Sequence, residues 1–483
     1  MISKRLTLSL LALLFTGCTP SRPIADLAHV PVQRLQTDVD SALTSNSFKD
    51  GGWLSEEWWT LFNDPQLTKC IQTALTAHPT IAMAESKIRL SKAASDAVGT
   101  PLWPLLKAKG DIMRVNASKT GLFGGADKSG AFPLSYTQTE VALSGQWEID
   151  WWGKHRSSLN AALGQVQAAV AEEALSRLVL SVSVAQAYFY YQTSETRQAL
   201  AKSLLAGEEK CGKLIQTRVE KGLDTELSLR HAESCLYGTK EQVLAAGQGV
   251  AVAKNRLNAL LAGDFLQEFE VSSKAMDSFS PFPLPKQLPL NLLSHRPDVI
   301  AQLWRVEATS LGVQSAKAAF YPNLDLMGLV GFQTIHTSEL FKGSSVNSSY
   351  GPALSLPLFN AGFLSASLDA KQEEFVIASQ VYEEVLLRAV QEVLDGLSNY
   401  RILNERLEEV KRMTVAIREI HRLTAQRFEH DLSSSLDVIA AEREWLLAKD
   451  KELVTRTMCL DATLALVKAL GGGYTYHKEE RPE

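Results

Sequence analysis

The sequence predicts an α+β membrane protein in which short strands are continued by very long helices, the whole plan being written twice in tandem. Three observations carry this. Residue n matches residue n+209 without a gap from about 153 to 263. The stretches at about 154–217 and 363–426 hold no proline and exceed any ordinary globular helix. Short runs ahead of them alternate apolar and polar residues, while no apolar run of 18 residues follows position 17.

The repeat comes first because it organises everything else. Gly153 falls on Gly362, Tyr191 on Tyr400, Arg218 on Arg427, Leu227 on Leu436, Ala232-Glu233 on Ala441-Glu442 and Leu257 on Leu466. Upstream the offset becomes 218, which aligns Pro79 with Pro297 and Pro104 with Pro322. The nine-residue change falls within 105–152 and 323–361, where the loops must differ in length. Each half then reads as a helix opening just after a proline (about 80–100 and 298–319), two extended runs and two long helices.

The extended runs show period two. Val141, Leu143, Trp147 and Ile149 share one face, and Gln138, Glu140, Ser144, Gln146 and Glu148 the other. Leu324, Leu326, Val330 and Phe332 alternate with Asn323 and Asp325, and Leu354, Leu356 and Leu358 repeat the pattern. The run at 105–116 alternates poorly and is read as a strand from the repeat. Such segments are the weak signature of a transmembrane barrel, and a soluble sheet edge shares it. With no apolar helix available, a span of the membrane has to be a closed barrel. Four strands cannot enclose a lumen, so several chains must contribute; three would supply twelve. The Gly- and Ser-rich stretches 117–135 and 338–349 read as surface loops between paired strands.

A helix of about 64 residues is about 96 Å long, a length that asks for coiled-coil packing. Val390, Val393, Leu397 and Tyr400, then Leu403, Leu407, Val410, Thr414 and Ile417, step by three and four with one phase shift. The long helices break at Lys221-Gly222-Leu223-Asp224-Thr225 and at His430-Asp431-Leu432-Ser433-Ser434, so each half ends in a helical hairpin.

Before the repeats, Lys4 and Arg5 precede an apolar Leu6–Phe15 segment, the form of a secretory signal. It runs into Phe15-Thr16-Gly17-Cys18, similar to a bacterial lipobox with Phe in place of the usual Leu. Cleavage would leave Cys18 as a lipidated N-terminus, and Thr19 in place of Asp implies, by resemblance to such lipoproteins, the outer membrane. The expected organisation is a lipoprotein signal peptide (1–17), a lipidated tether (18–62), a first repeat (63–290) and a second repeat (291–470), then a tail (471–483). Within the first repeat, strands are expected at about 105–116 and 137–150 and a hairpin over 153–263; within the second, strands at about 322–334 and 350–359 and a hairpin over 362–470.

Composition limits the function. The 483 residues are 45% hydrophobic and 21% charged, with net charge −5 and no long run of one sign, so no nucleic-acid partner is suggested. Cys70, Cys211, Cys235 and Cys459 have neither zinc nor redox spacing. An oxidising compartment suits them only if they are buried or paired. Cys211 and Cys235 stand at similar height in the first hairpin and are a candidate disulfide, although helix axes 8–10 Å apart exceed the reach of most bridges. His421 and His430 share no ligand face, and no catalytic triad, phosphate loop or dinucleotide loop is present. No cofactor, metal or enzymatic activity is expected.

Several segments together resemble the outer membrane factor family, the TolC-like efflux and export ducts, in its lipoprotein (NodT-type) branch. They are Trp58-Trp59-x-x-Phe62-x-Asp64-Pro65-x-Leu67, Arg296-Pro297-Asp298-Val299, Ala319-Phe320-Tyr321-Pro322-x-Leu324, Leu356-Pro357-Leu358-Phe359-Asn360-Ala361-Gly362 and Leu470-Gly471-Gly472-Gly473-Tyr474. They occur in the family's order over nearly the whole chain. The resemblance implies a homotrimer with a twelve-stranded outer-membrane barrel, four strands per chain, continued by a periplasmic helical barrel. Its hairpin tips would dock a periplasmic adaptor protein and face an inner-membrane pump, proton-driven or of ABC type. Lipid of the outer membrane would surround the barrel. Asp437 matches the family's periplasmic constriction carboxylate, where a ring of three would attract cations; Asp431 is a second candidate. Arg218, Gly222, Leu223, Arg427, Leu432 and Ser433 are candidate adaptor contacts. Asp431 stands where a tip glycine is usual, and Ser433 where some relatives carry a bulky apolar residue. The competing reading is a non-conducting coiled-coil lipoprotein that bridges envelope layers, which would need no apolar-out strands.

Overall fold

The computed structural model describes residues 54–118, 120, 134–263 and 295–475. Cys18 and the signal segment lie outside the described residues. The repeat is realised almost residue for residue. The first half holds α1 (Pro65–Ala77), α2 (Pro79–Gly99), β1 (Leu105–Asn116), β2 (Ser135–Ile149), α3 (Lys154–Glu220) and α4 (Glu226–Leu260). The second holds α5 (Pro297–Ala318), β3 (Asn323–Thr334), β4 (Val346–Ser355), α6 (Phe363–Glu429) and α7 (Ser435–Ala469). Helices α3 and α6 each have 67 residues, and α4 and α7 each have 35.

The chain packs as two compact units, and each draws on both repeats. One comprises Arg89–Ala168 and Leu303–Val381; the other draws on His29–Ile88, Ala169–Gln302 and Tyr382–Glu483.

The first unit contains the sheet, antiparallel in the order β1-β2-β3-β4. Strand β2 joins the repeats, pairing with β1 on one side and β3 on the other. The register sorts the side chains. Asp111, Glu140 and Gln333 are cross-strand neighbours on one face. Val141 lies opposite Phe332, Leu143 opposite Val330 and Trp147 opposite Leu326 on the other. Val141, Leu143, Val330 and Leu354 on that apolar face are all exposed. Strand β1, the poor alternator, pairs along its full length because Lys107, Lys109 and Asp111 fall on the polar face. There Lys109 Nζ meets Asp111 at 2.8 Å and Glu140 at 3.6 Å. Strand β4 differs from the expectation of 350–359: it ends at Ser355, so the alternating Leu356 and Leu358 lie beyond it. Pro357 lacks the N–H that would extend the ladder.

The second unit holds the main core. Asp64 caps α1 by accepting the N–H groups of Gln66 and Leu67, and it accepts the Tyr188 hydroxyl at 2.7 Å. Trp58, Leu67, Tyr188, Phe189, Leu397 and Leu464 are almost fully buried around it. Burial pushes the Cys70 thiol up to about 12, so it behaves as a small apolar side chain. Arg296 explains the Arg-Pro-Asp motif. Its buried guanidinium forks onto Asp298 (3.0 and 2.7 Å), reaches Glu392 at 2.8 Å and donates to the Ala469 carbonyl at 3.0 Å. It thereby ties the start of α5 to α6 and to the end of α7. The triple glycine follows at once, with φ of 85°, 59° and 85°. A Cβ on Gly471 would stand 2.0 Å from the His295 carbonyl oxygen, so only glycine fits.

Candidate functional site

The two hairpin tips follow one backbone path. At the first, α3 ends with Gly222 left-handed (φ 71°), and the Leu223 N–H closes on the Arg218 carbonyl at 2.8 Å. At the second, Asp431 takes the same conformation (φ 58°), and the Leu432 N–H closes on the Arg427 carbonyl, also at 2.8 Å. These bonds satisfy carbonyls that a helix end leaves open. Both tips turn a leucine outward, Leu223 and Leu432, each 66% exposed. Leu227 and Phe428 are exposed beside them. Leu227 is legible in the sequence only as the repeat partner of Leu436, and Phe428 carries no such signal.

Arg218 and Arg427 are used differently. Arg218 Nε lies 3.4 Å from Asp224, which also accepts the Thr225 N–H. The Asp224 carboxyl is held below its ordinary value, first by its hydrogen bond with Ser228. Arg427 donates to the Leu432 carbonyl at 3.2 Å, and its charge also helps hold the Asp437 carboxyl down. Ser433 donates to the Thr424 carbonyl and is half-buried, so it braces the turn more than it presents a surface.

Asp437 is exposed on the first turn of α7. One of its oxygens, Oδ2, accepts both the Ser434 N–H and the Ser434 hydroxyl at 2.8 Å, while Ser434 Oγ accepts the Asp437 N–H. This reciprocal cap holds the Asp437 carboxyl below its ordinary value, the Ser434 backbone N–H contributing most. The Ser434-x-x-Asp437 spacing was readable as a cap, and sequence reasoning passed over it. Asp431 occupies the left-handed turn position, away from this cap.

Above the tips, polar pairs join α3 to α7. Thr193 and Thr457 share a buried hydroxyl contact at 2.7 Å, Arg197 forks onto Asp450 at 2.7 and 3.2 Å, and Arg443 meets Glu208 at 3.3 Å. The Glu208 side chain is 8% exposed, and Arg443's is 48%. Cys211 and Cys235, the candidate disulfide, are free thiols in this structure, both half-buried. Burial, then Glu208 and then Cys235 push the Cys211 thiol up. His421 stacks on Trp445 (5.3 Å, 14°), with Lys449 on the same ring at 4.0 Å. Among the described residues no three His, Cys, Asp or Glu side chains group as metal ligands.

This arrangement offers exposed leucines at both tips and helices joined by polar pairs. Comparison with known proteins agrees with it. The chain is 28% identical over 473 residues to the multidrug resistance outer membrane protein MdtQ of Escherichia coli O6:H1, covering 96% of this chain and 97% of that one. It is similar to the outer membrane protein VceC of Vibrio cholerae, with a TM-score of 0.75 at 26% identity over 87% of this chain and 100% of that one. The Campylobacter jejuni CmeC outer membrane channel shares the fold, with a TM-score of 0.82 at 20% identity over 90% and 92%. The family model described as outer membrane efflux protein matches residues 70–263 and 288–472, and the chain belongs to that family.

Proposed function

We propose that this chain is one protomer of a homotrimeric outer-membrane exit duct, the passive last stage of a tripartite efflux system. Three four-stranded sheets make a twelve-stranded barrel, and the helical hairpins continue it into the periplasm. The observation that carries the reading is the sheet: one face apolar and exposed, the other polar, on a chain with no described helix apolar enough to cross a membrane. The tips would dock a periplasmic adaptor through Leu223 and Leu432 and face an inner-membrane pump. Multidrug export, in keeping with the multidrug-resistance name of MdtQ, is the substrate class we assign. Asp437 would form the periplasmic constriction, three carboxylates drawing cations toward the opening.

Conductance of the purified trimer in planar bilayers tests the duct. A non-conducting trimer would favour the bridging lipoprotein. Docking has its own test: Leu223→Asp with Leu432→Asp should abolish drug efflux while trimer yield and conductance hold. Unimpaired efflux would remove the tips from the docking surface.

A further inference from the structure

We infer that Cys211 and Cys235 are a modification site: they close a disulfide that staples α3 to α4 in the first hairpin, formed by exchange with the disulfide of a periplasmic oxidant protein. The structure shows the pair in its reduced form. The inference rests on the reading above that the hairpins stand in the periplasm.

The four described cysteines fall into two kinds. Cys70 and Cys459 are 0% and 2% exposed, and burial pushes their thiols up to about 12 and about 11. Thiols sealed in this way are inert. Cys211 and Cys235 are half-buried and lie 12 residues either side of Leu223, at one height on antiparallel helices. That height is about 18 Å above the tip. The two are near enough for Cys235 to help push the Cys211 thiol up. The second hairpin shows what this spacing permits. His421 and Trp445 lie 12 residues either side of Ser433, and their rings stack at 5.3 Å. Helix axes about 8–10 Å apart leave facing Cα atoms only about 3–5 Å apart, because each helix carries its Cα atoms about 2.3 Å off axis. The gap widens toward the flanks and so passes through the about 4.4–6.8 Å that a bridge spans. An oxidising compartment converts thiols so placed. One thiolate attacks the oxidant's disulfide and forms a mixed disulfide, expelling the oxidant's other sulfur. The second thiolate then attacks the cysteine sulfur of that mixed disulfide, the Sγ–Sγ bond closes, and the oxidant leaves as a dithiol. The hairpin gives up two electrons and two protons, and the oxidant takes both.

The test treats intact outer membranes with N-ethylmaleimide, purifies the full-length trimer and nicks it with trypsin at the exposed Lys221, between the two cysteines. On a denaturing gel without reductant the two fragments should run as one chain, and dithiothreitol should part them. Peptide mapping should find Cys211 joined to Cys235 and neither carrying maleimide. Cys211→Ser should part the fragments without reductant and leave Cys235 alkylated. In the unaltered protein, fragments that part without reductant, with both thiols alkylated, overturn the staple. So does a reductant-sensitive dimer of chains, which would place the bridge between protomers. Conductance of the same preparation keeps the two readings apart. A conducting trimer with free thiols loses the staple alone; bridged thiols in a non-conducting trimer keep the staple and remove the duct.

Discussion

At the scale of single residues, Asp437 shows how one carboxylate takes two assignments. The family resemblance proposes it as the constriction residue, and its bonds to Ser434 cap the start of α7. The two roles separate by substitution. Asp437→Asn keeps an oxygen for the cap and removes the charge, so single-channel conductance should rise while helix content holds. Unchanged conductance would leave Asp437 as a cap alone. Asp437→Ala should also raise conductance, and in addition fray the first turn of α7. The sign with pH follows from the depressed carboxyl. The cap is complete above the ordinary value of 3.8 and is lost as pH falls through the lower folded value. Amide exchange at the start of α7 should therefore quicken only below about pH 4. Asp431 carries a smaller lesson. It holds a left-handed turn that Gly222 holds without strain, so Asp431→Gly should stabilise the second tip by about 0.5–1 kcal/mol. Limited proteolysis at the tips would read it.

At the scale of elements, the link between hairpins runs along α3 and α7. Glu208 is buried with Arg443 as its cation, and Arg443 is half in water. Removing the cation strands a buried charge; removing both charges does not. Arg443→Ala should lower stability by about 1–2 kcal/mol, reduced from the fully buried case by the exposure of Arg443. Adding Glu208→Gln should recover about half of that loss, a coupling that thermal unfolding of the double-mutant cycle measures. Equal loss in the single and double variants would show that packing, with no contribution from the pair, joins these helices. The strands were legible to different degrees for physical reasons. Strand β2 alternates because one face meets apolar surroundings and the other does not. In β1, Leu105, Met113 and Val115 share a face with its charged residues, which blurs the period, and only the repeat marked it. The run into Leu358 alternates and yet leaves the sheet after Ser355, just ahead of Pro357.

At the scale of the whole molecule, the end of α7 is locked against the start of α5, where the second repeat begins. Gly471 leaves no space for a side chain beside the His295 carbonyl, next to the Arg296 anchor. Gly471→Ala should prevent that closure and leave little folded trimer in the membrane fraction, whereas Gly222→Ala, with open space around it, should cost only about 1 kcal/mol. The sequence by itself determined the duplicated plan, the helix and strand identities and the two turns. These depend on local period, on proline and glycine and on spacing, all of which act between near neighbours. It also determined the family, because the motifs recur in order. Tertiary structure alone decided that each unit draws on both repeats, that β2 pairs with β3 across nearly two hundred residues, and that Glu208 meets Arg443. Contacts of that kind depend on how distant segments pack, and burial gives a charged or apolar residue its role only once its neighbours are in place.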